Sequence, residues 1–234
     1  MLSTRAKALI SGFIISVLVS FTGFFNRCEC ISDKIFRLHI IANSDCKFDQ
    51  DLKLKVRDRI LNDFGSKFKD IKDLVSVEKL TEENIENIKK SATDEIKANG
   101  YDYPVEIYLT RMYFNTRTYD DISMPAGVYD ALRIVIGEGK GKNWWCVMFP
   151  PMCVPAAQGK DELGTVLSKE EIKILESKKE YDFKFKIVEI FSEIKNFIDD
   201  ILKFLSSSIC EKYNVDCYMI NVLQNVKNSF LEDL

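Results

Sequence analysis

The segment from Met124 to Cys153 constrains the fold more than any other part of the chain. Its sequence is MPAGVYDALRIVIGEGKGKNWWCVMFPPMC. Except for Arg133, the run 131–136 is aliphatic and largely β-branched, which is typical of a strand, and the chain returns through a second apolar run at 144–149. Glycines and lysines at 137–143 separate the two runs, and a double proline, which cannot donate to a β-ladder, ends the second. This pattern predicts two strands joined as a hairpin.

The residues upstream predict a strand, two helices and another strand. Ile35–Ala42 alternates loosely and is mostly apolar on both faces, which predicts an interior strand. Asp49 is predicted to be the N-cap of the next helix, whose apolar stripe has a four-residue period at Leu52, Val56, Ile60 and Phe64. A second helix is predicted over Val77–Ala98, ended by a left-handed cap at Asn99–Gly100, and a strand is predicted over Tyr103–Tyr119. The order β-α-α-β-β-β predicts an α+β fold with a four-stranded, mostly antiparallel sheet and helices on one face.

The N-terminus carries an export signature. Arg5 and Lys7 precede the uncharged, apolar stretch Ala8–Phe25, and a positive segment followed by an apolar run is typical of export. Bulky residues follow this stretch instead of a small-residue cleavage site, so a cleaved signal peptide and an uncleaved anchor both stay open. In either case we expect residues 31–234 to leave the cytoplasm.

The C-terminal third differs in composition from the predicted sheet. Residues 155–168 are small, polar and glycine-containing, which predicts a linker. A long amphipathic helix is predicted beyond it, with its apolar stripe at Ile187, Ile190, Phe191, Ile194, Phe197, Ile198, Ile201 and Leu205. We expect it to pack on the sheet. The predicted organisation is a signal peptide or anchor at 1–30, an α+β domain at 31–154, the linker at 155–168 and a helical region at 169–234.

Bulk charge and residue counts exclude several function classes. The net charge is −3, so there is no basic excess for nucleic-acid binding. His39 is the only histidine and lies inside a predicted strand, so we expect a buried, hydrogen-bonded core residue. Residues 137–143 do not form a nucleotide-binding loop, because no Ser or Thr follows Lys142 and a strand follows instead of a helix. We predict no cofactor, metal or small-molecule substrate.

Oxygen-bearing side chains cluster before the first helix. Asn43, Ser44, Asp45, Asp49 and Asp51 could supply calcium ligands, but their spacing does not match an EF-hand. Carboxylates also favour the positive end of a helix dipole, and we favour this capping role.

The glycine-rich residues and the tryptophans are the predicted partner-binding surface. Three glycines with two lysines exceed what a two-residue turn requires, which favours a cationic loop that docks on another protein. The loop residues concerned are Gly137, Gly139, Lys140, Gly141, Lys142 and Asn143. Trp144 and Trp145 are adjacent in a strand and so face opposite sides of the sheet. Either helices cover both faces, or one indole is exposed as an interaction anchor.

Seven cysteines are present, and export would permit disulfides. Cys146 and Cys153 flank the double proline, where the chain must turn. They either form a disulfide or are small buried residues.

Two blocks resemble the signature of the stage II sporulation protein R family. These are Met124–Cys153 and Arg37–Asp58, RLHIIANSDCKFDQDLKLKVRD. The resemblance implies a non-enzymatic signal exported to the space between forespore and mother cell. Its implied partner is a membrane-embedded aspartic peptidase that removes the pro-sequence of the sigma-E transcription factor, and Asn43–Asp45 could share in recognition. The alternatives are a secreted hydrolase that uses Asp45 with a second carboxylate, and a cell-envelope module that binds wall or lipid.

Overall fold

The computed structural model describes residues 23–68, 71–119, 121–152, 163–176 and 184–190, with isolated positions 3, 5, 9, 12 and 16. The chain divides into two compact units, Met1–Glu189 and Ile190–Leu234, and of the second unit only Ile190 is described. Within the described part of the chain, no helix has both the length and the apolar character needed to cross a membrane. Most of the predicted segment Ala8–Phe25 lies outside the described residues.

The fold is α+β, as predicted, and is built on a four-stranded mixed sheet. In chain order the strands are β1 (Phe36–Ile41), β2 (Val105–Phe114), β3 (Arg117–Tyr119), β4 (Ile122–Met124), β5 (Gly127–Ile136) and β6 (Asn143–Phe149). The sheet order is β2-β5-β1-β6, and β3 pairs with β4 in a separate ribbon. β1 runs parallel to β5, whereas the β1–β6 and β2–β5 pairs are antiparallel.

The predicted hairpin between β5 and β6 is wrong. The two strands do run in opposite directions, but β1 lies between them, so that Leu38 is opposite Leu132 on one side and Cys146 on the other. All six residues of β1 are buried. Such a strand is most stable in the interior of a sheet, where both faces and both edges are covered. Residues 137–142 therefore cross the end of β1 instead of forming a turn between neighbours.

The predicted stripe of the first helix is buried, but the helices differ from the prediction in number and at their ends. They are α1 (Lys47–Phe64), α2 (Leu74–Glu83), α3 (Ile85–Ala98) and α4 (Lys169–Glu176), with a 3-10 turn at Gly65–Phe68. The N-cap of α1 is Cys46 and not Asp49. The single helix predicted over Val77–Ala98 is two helices, because Asn84 caps the first by donating from Nδ2 to the Leu80 carbonyl at 2.8 Å. Gly100 has φ +82°, which confirms the left-handed cap.

The strand predicted over Tyr103–Tyr119 is also interrupted. β2 ends at Phe114, and Arg117–Tyr119 pairs with Ile122–Met124 in the small ribbon. The linker predicted at 155–168 lies partly outside the described residues, as does the helical region predicted at 169–234. Residues 184–190 are helical, and the domain boundaries stay predictions.

Two apolar clusters cover the sheet. The first joins α1, α2 and α3 to one face through residues such as Leu38, Ile134 and Met148. The second contains Tyr129, Ala131 and Val147, whose side chains alternate with those of the first cluster and so lie on the other face. Residues from the helical stretch 23–32 and from α4 belong to this second cluster. Both faces of the sheet are therefore buried over much of their area.

Candidate functional site

The structure brings the two predicted recognition segments together at the end of β1. The backbone N–H of Glu138 donates to Oδ1 of Asn43 at 3.0 Å, and the N–H of Lys142 donates to Oδ1 of Asp45 at 2.7 Å. The N–H of Lys140 donates to the Asn43 carbonyl at 3.1 Å. We call Asn43–Asp45 with Gly137–Asn143 the junction. Its two halves were predicted separately, and the hydrogen bonds make them one unit.

Two glycines of the junction are required by their close approach to residues that follow β1. A Cβ on Gly137 would lie 2.2 Å from Oδ1 of Asn43, and one on Gly141 would lie 2.3 Å from the Ser44 carbonyl oxygen. Gly137 and Gly139 also have φ angles of +60° and +61°, which residues with a Cβ rarely adopt. The loop is therefore glycine-rich because it lies directly on the backbone that follows β1.

A buried carboxylate organises the other half of the junction. Asp49 is buried, and its Oδ2 accepts hydrogen bonds from Nδ2 of Asn43 at 2.8 Å and Oγ of Ser44 at 2.6 Å. Burial alone raises the pKa of the Asp49 carboxyl, but the hydrogen bonds from Ser44 and Asn43 outweigh it and hold the pKa below its ordinary value. Asn43 is thus held by Asp49 on one side while it accepts from the loop on the other.

Lys53 supports the loop from below. Its side chain is buried, and Nζ donates to the Lys142 carbonyl at 2.8 Å and to Oε1 of Gln50 at 2.7 Å. Burial lowers the pKa of the Lys53 ammonium. Sequence reasoning missed this residue. The sequence signal for its burial was its spacing, because position 53 falls on the same face of α1 as positions 49, 56 and 60.

The charges of the loop's outer surface are paired with each other. Nζ of Lys140 lies 2.7 Å from Oε2 of Glu138, and both side chains are mostly exposed. Lys142 is also exposed. The positive charge predicted for this loop is therefore partly neutralised at Lys140. Lys142 adds a second exposed positive charge next to the start of β6.

The tryptophans lie on opposite faces of the sheet, as their adjacency predicts. Trp144 packs against the helix-side cluster with the Arg57 guanidinium carbon 4.4 Å from its ring centroid. Trp145 stacks on His39 with centroids 3.7 Å apart and planes 7° apart. Both indoles are partly buried. Of the two alternatives, coverage on both faces is the one observed.

His39 is buried and hydrogen-bonded, as predicted. Its Nε2 lies 2.9 Å from Oδ1 of Asn143, and the tautomer that carries the proton on Nε2 would donate to that oxygen. Nδ1 has no partner. Burial lowers the pKa of the His39 imidazole, and the nearby Arg133 charge lowers it further, against the hydrogen bond to Asn143. Together with Trp145, this histidine links β1 to the start of β6 beneath the junction.

Arg37 is a second feature that sequence reasoning missed. It is fully buried, and its guanidinium carbon lies 4.5 Å from the ring centroid of Phe114 and 4.9 Å from that of Tyr129. Nη2 donates to the Tyr119 hydroxyl at 2.9 Å. No carboxylate pairs with it among the described residues. The signal was a cation between two apolar residues, Phe36 and Leu38, in a predicted interior strand.

Cysteine and metal chemistry bear little on the junction. Cys146 is buried and disulfide-bonded, but Cys153 lies outside the described residues, so pairing between these two stays a prediction. Cys28, Cys30 and Cys46 are free. Within the part of the chain that the structure describes, no group of histidine, cysteine or acidic residues is arranged to hold a metal ion.

Comparisons with known proteins point to one family. The family model of stage II sporulation protein R matches residues 32–159. Stage II sporulation protein R of Bacillus subtilis (strain 168) is 34% identical over 128 residues, which cover 55% of this chain and 57% of that protein. The match thus spans little more than half the length of the curated relative. None of the solved structures matches. The matched residues contain β1–β6, α1–α3 and the whole junction.

Proposed function

Because the chain belongs to the stage II sporulation protein R family, we propose that it is an exported sporulation signal that binds and activates a membrane-embedded aspartic peptidase. That peptidase removes the pro-sequence of the sigma-E transcription factor. On this proposal the chain supplies a binding surface and no catalytic group. The observation that carries the proposal is the junction, because two separate blocks of the family-matched segment fold into one preorganised loop.

The polar groups of the junction favour binding over hydrolysis. Asp45 accepts from the Lys142 N–H, and Asp49 accepts from Asn43 and Ser44. One oxygen of each carboxylate thus accepts from the chain itself, and Asp49 is buried, whereas both members of a hydrolytic pair must face a substrate or water. A loop fixed in this way loses little conformational entropy when a partner binds.

Activation would operate as a population shift. If the active assembly of the peptidase binds this surface better than the inactive form does, the chain raises the active fraction in proportion to that difference. The chain must then reach the outer side of the membrane that holds the peptidase. The apolar stretch Ala8–Phe25 would provide export, either as a cleaved signal or as an anchor.

A genetic experiment tests the proposal. Deletion of the gene should abolish expression of a sigma-E-dependent reporter during sporulation, and the wild-type gene should restore it. The double variant Ile15→Lys with Val17→Lys should not restore it, because a charge at the centre of such a segment costs about 2.5–3.5 kcal/mol per residue. The conservative pair Ile15→Leu with Val17→Leu is the matched control and should restore it. Normal reporter expression in the deletion strain would exclude the proposed function.

A further inference from the structure

The two edge strands of the sheet, β6 and β2, differ in how far they are protected from pairing with another strand. β6 forms one edge, and two of its carbonyls are occupied from outside the sheet, because Met152 N–H donates to the Val147 carbonyl at 3.3 Å and the Tyr119 hydroxyl donates to the Trp145 carbonyl at 3.2 Å. Its pairing with β1 is also irregular at one end, and Pro150 follows it. Occupied carbonyls, irregular pairing and proline are the usual protections of an edge strand.

β2 forms the other edge and lacks these protections. β2 is ten residues long, whereas a typical strand has about five or six residues. Its register with β5 is continuous from Val105 to Phe114. It contains no proline. Gly137 N–H donates to the carbonyl of Pro104 opposite it, so the even-numbered residues of β2 bond to β5. The odd-numbered residues Val105, Ile107, Leu109 and Arg111 direct their backbone groups to the open side.

Those outward groups are unpaired within the described part of the chain. The sheet has no strand beyond β2, and no backbone hydrogen bond joins Val105–Arg111 to another segment on that side. Tyr108, midway along the strand, is 45% exposed. An edge with these properties is a template for a further strand.

Open grooves flank this edge on both faces of the sheet. The groove on one face, about 370 Å³, runs from the junction residues Glu138 and Gly139 past Arg133 to Tyr108. The groove on the helix side, about 270 Å³, is lined by Glu78 and Glu82 of α2 and by Asp130 and Arg111. Alternate side chains of an added strand would enter one groove and then the other.

The helix-side groove has an excess of negative charge. Three carboxylates line it against one guanidinium, and Arg111 is shared between Asp33, at 2.7 Å, and Asp130, at 3.8 Å. Glu78 and Glu82 have no ion-pair partner among the described residues. Burial raises the pKa of the Glu78 carboxyl, and the charge of Asp130 raises it further, against Arg111. A cation from outside would relieve this repulsion.

We propose that the edge of β2 is where the partner docks, by adding an extended segment that carries a lysine or arginine into the groove of Glu78, Glu82 and Asp130. This inference rests on the proposed function and names the chemistry of the peptidase segment that is bound. The junction lies beside the start of β2, so a segment on this edge also reaches the loop Glu138–Lys140.

Amide exchange tests the backbone part of the proposal. The full-length chain is incubated in deuterated buffer with and without the detergent-solubilised peptidase. Exchange of the Ile107 and Leu109 amides should slow by about tenfold on binding, because newly bonded amides are protected. β6 serves as the internal control and should not change. The same protection in the chain alone, increasing with its own concentration, would identify a second copy as the occupant and overturn the proposal.

Charge reversal tests the groove. The precursor, the peptidase and the chain are co-expressed in a host without the sporulation pathway, and cleavage of the precursor is measured. The double variant Glu78→Lys with Glu82→Lys should activate roughly tenfold less, since opposite charge is replaced by repulsion. The pair Glu83→Lys with Glu86→Lys makes the same change of charge outside the groove and should activate normally.

The outcomes separate the two proposals. If the wild-type chain neither binds the peptidase nor increases cleavage, the proposed function fails and the docking edge fails with it. If the wild-type chain activates, but Ile107 and Leu109 are unprotected and the Glu78–Glu82 double variant activates normally, only the docking edge is excluded.

Discussion

The backbone N–H of Lys142 donates to Oδ1 of Asp45 at 2.7 Å, across 97 positions of sequence. This bond closes the junction over the end of β1 and fixes where the loop lies relative to α1. A carboxylate that accepts from a backbone N–H forms a stronger bond than a neutral acceptor does. The loop is thus held by the residues that follow β1, and its shape depends on Asn43 and Asp45 as well as on its own glycines.

The first prediction concerns the glycine that lies closest to the backbone following β1. Gly141→Ala should destabilise the protein by about 1–3 kcal/mol, because the new Cβ would lie 2.3 Å from the Ser44 carbonyl oxygen and the backbone must shift. The measurement is the free energy of unfolding from a urea titration.

Gly65→Ala is the matched control for that substitution. Gly65 has φ −59° and no atom within 4 Å of an added Cβ. Alanine should therefore stabilise the protein by about 0.4–1 kcal/mol, because it restricts the unfolded chain. Equal effects of the two substitutions would show that the loop is not in close contact with Ser44.

Local patterns predicted the elements but not their pairing. The apolar character of Ile35–Ala42 placed β1 in the interior of the sheet, and the four-residue stripe placed α1. The hairpin prediction failed because a glycine-rich break between two strands has the same local pattern whether or not a third strand enters between them. The insertion of β1 is decided by burial of its two faces and by contacts distant in sequence.

The candidate site was predicted in part for the same reason. Asn43–Asp45 and Gly137–Asn143 were identified from their composition, but their contact depends on the position of β1. Lys53 and Arg37 were missed because single cations are usually exposed. Their burial follows from neighbours that only the fold supplies, such as the Lys142 carbonyl and the ring of Phe114.

The second prediction concerns the buried carboxylate of the junction. Asp49→Asn should lower the free energy of unfolding at neutral pH by about 1–3 kcal/mol, because Asn43 and Ser44 would lose a charged acceptor. Asp51→Asn, on the exposed side of α1, should change it by less than about 0.5 kcal/mol. Equal losses would show that Asp49 does not organise the junction.

Asp49 also predicts acid sensitivity. The pKa of Asp49 is lower in the folded chain than in the unfolded chain. The carboxylate therefore contributes its full stabilisation at pH values above the unfolded pKa of about 3.9, and this stabilisation is lost as the pH falls through the folded pKa. Unfolding curves between pH 5 and pH 2, roughly that window, should show a smaller pH dependence for Asp49→Asn than for the wild type. Parallel curves would exclude this contribution.

The third prediction concerns the single histidine, whose proton signals can be followed by NMR without ambiguity. The pKa of His39 should lie below the ordinary value of about 6.5, because burial disfavours the imidazolium. The imidazole of the unfolded chain then binds a proton more readily than that of the folded chain. The free energy of unfolding therefore falls as the pH drops from the ordinary pKa of histidine toward the lower pKa of the folded chain. A pKa at or above the ordinary value would contradict the burial of His39.

The tryptophans provide a matched pair for the same titration. Trp145→Ala should raise the pKa of His39 toward its ordinary value, because the stacked indole that excludes water is removed. Trp144→Ala should leave the pKa nearly unchanged, because Trp144 lies on the opposite face beside Arg57. Each substitution should cost up to about 3–5 kcal/mol of stability, since both indoles are partly buried. An equal pKa shift in both variants would show that the stack does not control His39.

The fourth prediction concerns the exposed lysines of the junction. Lys140→Glu with Lys142→Glu should leave the free energy of unfolding nearly unchanged, because the Lys140–Glu138 pair is exposed and such pairs contribute little. The Lys142 backbone N–H would still donate to Asp45. If the loop contacts the peptidase, cleavage of the precursor in the co-expression assay should fall strongly, because reversed charge slows encounter and adds repulsion.

A matched double reversal away from the junction controls for net charge. Lys72→Glu with Lys89→Glu makes the same change at two exposed positions and should leave cleavage at the wild-type level. If the precursor is cleaved normally in the presence of the Lys140–Lys142 variant, the loop only connects β5 to β6 across the end of β1. Recognition would then depend on the edge of β2, where the Glu78–Glu82 reversal should still reduce cleavage. Loss of cleavage by both reversals would instead place the loop and the edge on one continuous surface, as the groove from Glu138 to Tyr108 suggests.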